Sequence, residues 1–131
     1  MLKKDIISLQ FKELGKMVTQ MTANRENHAE YKNETLVETV YQTLDLTQGT
    51  LMTTSLDDLL HLLDRDDYGG FFRMELAARN LMEESFLQPN EHRALLKRAK
   101  ELLVFIQQHD NTYSIGRAML LDEIEKELQN S

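Results

Sequence analysis

Apolar residues return every three or four positions along this chain, and nowhere do they alternate with polar ones over the length of a strand. A period near 3.6 gathers apolar side chains on one face of a helix, whereas a half-buried strand needs a period of two. A chain patterned in this way buries its apolar stripes by packing helix on helix. We therefore predict an all-α protein without a sheet: an antiparallel helical bundle of about five long helices and one short one. At 131 residues the chain is long enough for one sizeable core, so a single helical domain over residues 1–131 is expected.

The stretch from Ser55 to Leu87 organises the rest. Ser55 is a good N-cap, with Asp58 at capping-box spacing. Leu56, Leu59, Leu60 and Leu63 follow at helical spacing, and Gly69-Gly70 ends the element. A second helix opens near Phe71, with Met74, Ala77, Ala78 and Leu81 on its inner face. The two alanines there leave room for another helix to come close.

Upstream, Ile7, Phe11, Leu14, Val18 and Met21 define a first helix over residues 4–23. The polar run 24–33 reads as a loop, and Asn33 as the cap of a helix carrying Leu36, Val37, Val40, Tyr41 and Leu44. Gly49 is expected to end that region, with Thr50 to Thr54 leading into the central pair. Downstream, Pro89 or Asn90 starts the next helix, whose stripe of Leu95, Leu96, Ala99, Leu102, Leu103 and Ile106 is the cleanest in the chain. The last helix, about Tyr113 to Gln129, buries Leu120, Leu121, Ile124 and Leu128.

The acidic turn invites a test for calcium. Asp64, Asp66, Gly69 and Glu75 stand at the first, third, sixth and twelfth positions of an EF-hand loop. Tyr68 and Phe72 occupy the fifth and ninth, where short oxygen ligands belong, and the sequence holds no second loop to pair with it. The spacing favours a solvated acidic turn, with calcium binding through Asp64, Asp66 and Glu75 as the alternative. Other chemistry finds little footing. The chain has no cysteine, no Gly-x-Ser-x-Gly turn and no phosphate-cradling glycine loop. His28, His61, His92 and His109 each lack a second histidine at metal-ligand spacing. Glu26, His28, Glu30 and Glu34 gather in a polar segment, but carboxylates are common throughout this chain. No cofactor is implied.

A formal net charge of −7 argues against a general binder of nucleic acid or anionic membrane. The longest strongly apolar run, Leu102 to Ile106, is far too short to span a bilayer, and MLKKDII does not start a signal peptide, so a cytoplasmic protein is expected. Against this acidic background Arg93, Lys97 and Lys100 recur at helical spacing, with Arg98 beside them. They form either a solvated face or an anchor for an acidic partner segment. Phe72, Met82, Val104 and Phe105 fall off the core stripes, so the outer helices or a second subunit must cover them. We expect a two-fold homodimer with Phe105 at its interface.

Three segments carry a resemblance: ETLVETVYQTLDL followed by SLDDLLHLL, MELAARNLMEES followed by ALLKRAKELLVFI, and NTYSIGRAMLLDEIEKEL. In these, over residues 34–128, the chain resembles a family of uncharacterised all-helical bacterial proteins with degenerate tetratricopeptide-repeat-like helix pairs. That resemblance implies a fold, in which Ala77, Ala78 and Ala99 take the small positions where paired helices touch; it implies no activity. The sequence thus points to a non-enzymatic protein–protein interaction or scaffold module, self-associating, with Arg93, Lys97, Lys100 and Phe105 facing the partner. The alternative is a calcium-responsive protein.

Overall fold

The computed structural model describes residues 3–65 and 68–130, with side chains from residue 9 onward. Among the described residues there are seven α-helices, one short 3-10 turn and no strand. The helices are α1 (Lys3–Glu26), α2 (Asn33–Leu44), α3 (Gln48–Thr53), α4 (Leu56–Leu63), α5 (Gly70–Ser85), α6 (His92–His109) and α7 (Ile115–Asn130); the 3-10 turn is Glu30–Lys32.

The middle of the chain becomes the middle of the molecule. Helix α5 packs chiefly on α6 and also touches α1, α2 and α4, while α7 packs on α6. Met74, Ala77, Ala78 and Leu81 of α5 and Leu95, Leu96, Ala99, Leu102, Leu103 and Ile106 of α6 are all buried. The apolar cluster also takes Leu14, Val18 and Met21 from α1, Leu51 from α3, Leu59 and Leu63 from α4 and Ile124 from α7. Burying one such leucine contributes roughly 1.5–3 kcal/mol relative to leaving it in water.

Several boundaries differ from the sequence reading. Helix α1 runs to Glu26, three residues past the expected end at 23. Asn33 does not cap α2; it is that helix's first residue, fully buried. Its amide donates to Met21 O at 2.9 Å and accepts from Asn24 Nδ2 at 2.8 Å, so it ties α2 to α1. Gly49 does not end a helix either. Thr47 accepts from Thr50 N at 3.0 Å and so caps a further helix, α3, which raises the number of α-helices to seven. Helix α6 begins at His92, after Pro89 and Asn90, and α7 begins at Ile115 rather than Tyr113. Ser55 does cap α4, accepting from Asp58 N at 3.2 Å.

The turn between α4 and α5 requires both its glycines. Gly69 sits at φ +80°, and a Cβ there would meet the Phe11 ring at 2.4 Å. A Cβ on Gly70 would come within 2.7 Å of the Asp64 side chain. Asp64 Oδ1 accepts from Gly70 N at 2.9 Å and closes the turn.

Three of the four apolar residues left off the stripes find cover within the chain. Met82 and Phe105 are buried, Val104 is half-buried, and Phe72 packs on Phe11 with ring centroids 4.3 Å apart while staying 42% exposed. Phe105, expected at an interface, is 6% exposed in the single chain, and its ring stacks on His109 with centroids 4.1 Å apart.

Candidate functional site

The residues singled out as a basic face come together at one open groove of about 980 Å³ between α4, α6 and α7. Arg93, Lys97 and Lys100 line it from successive turns of α6, joined by Val104 and Phe105 further along. Leu56 enters from the start of α4 and Leu128 from the last turns of α7. Spacings of four, three and four along α6 put these side chains on one edge of that helix, beside the core stripe.

The three cations are not equivalent. Arg93 Nη1 donates to Leu128 O at 2.7 Å, one of the carbonyls that the end of α7 leaves without a helical partner. Lys100 is ion-paired with Glu125 across the groove. Lys97 is exposed, and among the described residues no carboxylate pairs with it. The groove thus offers a half-buried apolar floor of Leu56, Val104 and Leu128 and one uncommitted ammonium on its rim.

Arg98 does not belong to this face. Its side chain is buried and donates through Nε to Leu51 O at 2.8 Å and through Nη2 to Thr54 O. It therefore holds the C-terminal end of α3 against α6. The sequence carried the signal: Arg98 lies three after Leu95 and four before Leu102, on the apolar stripe itself.

The acidic turn is organised around a cation supplied by the protein. Arg73 is buried, and its Nη1 donates to Leu63 O and Tyr68 O, both at 2.8 Å, while the guanidinium lies 5.1 Å over the Phe11 ring. Asp64 is occupied with Gly70 N. Glu75 faces away to Arg117, whose Nη1 donates to it at 3.3 Å. Asp66, the third member of the proposed calcium set, lies outside the described residues. Among the described residues no three histidine, aspartate or glutamate side chains gather as a metal-ligand set.

Other charges, buried or half-buried, lock helices together. Arg25 reaches from α1 to Glu83 of α5 through Nε and Nη2, at 2.7 and 3.1 Å, and to Glu123 of α7 at 3.2 Å. Burial alone would lower the Arg25 pKa, but the hydrogen bond and charge of Glu83, with those of Glu123, outweigh it and raise it. Arg117 binds Gln107, Glu75 and Thr112 O, joining α7 to α5 and α6.

Glu84 holds its proton more tightly than an ordinary carboxyl. Tyr41 donates to its Oε1 at 2.5 Å and Gln48 to its Oε2 at 3.0 Å. Burial raises the Glu84 pKa, Glu91 adds to the rise, and the two hydrogen bonds oppose it. Burial and the neighbouring carboxylate also raise the Tyr41 pKa, so the phenol stays protonated. Glu84 borders a hollow of about 450 Å³ with Tyr31, Glu34 and Val37, but neither serine nor histidine lines that hollow.

Comparison of the chain with protein-family models, curated proteins and solved structures finds no match. No helix among the described residues is long and apolar enough to cross a membrane.

Proposed function

We propose that this chain is a non-enzymatic protein–protein interaction module that takes an acidic, amphipathic partner segment in the groove between α4, α6 and α7. The observation that carries this reading is Lys97, an unpaired ammonium on the rim of an apolar-floored groove in a protein of net charge −7. Several of the less exposed arginines already serve internal contacts: half-buried Arg25 and buried Arg98 and Arg117 join helices, and buried Arg73 fills the α4–α5 turn. An amphipathic helix would lay its apolar face on Leu56, Val104 and Leu128 and its carboxylates towards Lys97 and Arg93.

The framework for this surface is a set of tetratricopeptide-like antiparallel helix pairs, with α5 and α6 as the central pair. The fully buried Ala77, Ala78 and Ala99 support that arrangement, since small side chains let two helix axes approach closely.

The test is a fluorescence-anisotropy titration with an acidic helix-forming peptide whose leucines repeat at three and four positions, beside the same peptide with lysine for each glutamate. The acidic peptide should saturate the protein, more weakly at high salt, and Lys97→Glu should reduce its affinity roughly tenfold, the effect of about 1.4 kcal/mol. Equal affinity for both peptides, or an unaffected variant, would remove the reading.

A further inference from the structure

Among the described residues, the three most exposed large apolar side chains of the C-terminal third lie together. Tyr113, Ile115 and Met119 are 72%, 68% and 67% exposed, and they crowd the start of α7 within seven positions. Single exposed apolar residues are ordinary, but a contiguous group of large ones marks a contact surface. They border a hollow of about 440 Å³ whose other lining residues include Asp122 and Lys126. Asp122 is exposed, and among the described residues its ion pair is with Lys126 on the next turn, at 3.0 Å; a pair so open to water holds it weakly.

This strip is the complement of the groove. It presents apolar side chains edged by a weakly held carboxylate, where the groove presents an apolar floor edged by an unpaired ammonium. The two surfaces also share α7. Asp122 borders the strip and Gln129 borders the groove, and residues seven apart lie nearly in line on a helix. A two-fold axis across α7 would therefore set each strip on the other copy's groove in one isologous contact.

We infer that the occupant of the groove is a second copy of this chain, whose Tyr113–Ile115–Met119 strip seats on Val104 and Leu128 while its Asp122 meets Lys97. The inference rests on the proposed reading of the groove and names its partner. It relocates the expected homodimer contact from Phe105, which is buried, to the open face of α7.

Sedimentation equilibrium of the full chain tests it. The wild type should approach twice the 15.3 kDa chain mass. Lys97→Asp and Asp122→Lys change exposed positions, so each should keep the helical circular dichroism of the wild type while sedimenting as one chain. Each variant alone sets like charges together twice in the pair; an equimolar mixture sets opposite charges together twice, and should sediment as a dimer again. Met119→Lys should sediment as one chain without rescue by either. A wild type of one chain mass at high micromolar concentration overturns the inference, and so does a dimer that survives both charge reversals. If the wild type is monomeric yet binds the acidic peptide through Lys97, self-pairing fails and the interaction reading stands. If neither occurs, both fail.

Discussion

Arg73 Nη1 donates at 2.8 Å to the carbonyl oxygen of Leu63, ten positions earlier in the chain, and so places a guanidinium inside the turn that sequence spacing offers to calcium. The same nitrogen takes Tyr68 O, the carbonyl of the loop's fifth residue. An EF-hand loop turns side-chain oxygens at its first, third and fifth positions, the seventh carbonyl and a twelfth carboxylate onto its ion. Here the first-position carboxylate of Asp64 accepts from Gly70 N, the fifth position is Tyr68, a guanidinium lies in the turn, and the twelfth carboxylate, Glu75, serves Arg117. Calorimetric titration with calcium should give no binding in the sensor range. A dissociation constant at or below about 10⁻⁵ M would contradict this arrangement.

The carboxyl of Glu84 makes stability depend on pH. Burial is the main cause that lifts its pKa above the ordinary carboxylate value. The folded protein therefore holds this proton more tightly than the unfolded chain does. The resulting stabilisation is complete below the unfolded pKa of about 4.3 and is lost as pH rises through the higher folded value. Glu84→Gln keeps an acceptor for Tyr41 and has no charge to bury. Its stability relative to wild type should improve steadily as pH rises from about 4, read by urea unfolding across a pH series. A difference that stays constant with pH would show that Glu84 titrates normally.

The lock between α1, α5 and α7 should respond unequally to its members. Arg25→Ala leaves Glu83, a carboxylate only 3% exposed, without its counter-charge and with the Thr22 hydroxyl at 3.0 Å still donating to it, and should cost on the order of 3 kcal/mol. Glu123→Ala removes a partner that is 46% exposed and should cost less than about 1 kcal/mol. Chemical denaturation of both variants decides; equal losses would mean that Arg25 relies on Glu123 as much as on Glu83.

Leu103 is 1% exposed in the α6 stripe, so Leu103→Ala should lower stability by about 2–5 kcal/mol, as large-to-small core changes do. An unfolding midpoint equal to that of wild type would place the buried face of α6 elsewhere.

These cases divide by how the sequence encodes them. The α6 stripe was legible because Leu95, Leu96, Ala99, Leu102, Leu103 and Ile106 are apolar at helical spacing, so period and chemistry agree at every position but Arg98. Helix α3 was not, because Gly49 reads as a terminator unless the Thr47–Thr50 cap is recognised first. In the sequence Arg98 is set beside the basic face, and Arg73 and Arg117 are not singled out, for one shared reason. Arg98 stands among Leu95 and Leu102, Arg117 four before Leu121 and seven before Ile124, and Arg73 four before Ala77 and seven before Asn80, all on core-facing stripes. A charge at a core position signals a buried contact only if spacing is given more weight than residue type. Which backbone carbonyl or carboxylate it meets depends on tertiary packing, as with Arg98 and Leu51, 47 positions apart. The groove was half legible. The cations were visible at helical spacing on α6, but α4 and α7, which give it depth, join them only in the folded chain.

The central claim is that the α4–α6–α7 groove receives an acidic amphipathic segment, and its most direct test is amide shift mapping by nuclear magnetic resonance. The nitrogen-15-labelled protein would be titrated with the acidic helix-forming peptide. The account predicts shifts concentrated at Lys97, Lys100, Val104 and Leu128, with Tyr31 and Glu34 on the Glu84 hollow unmoved. Shifts centred on any other face, or none at saturating peptide, would contradict it.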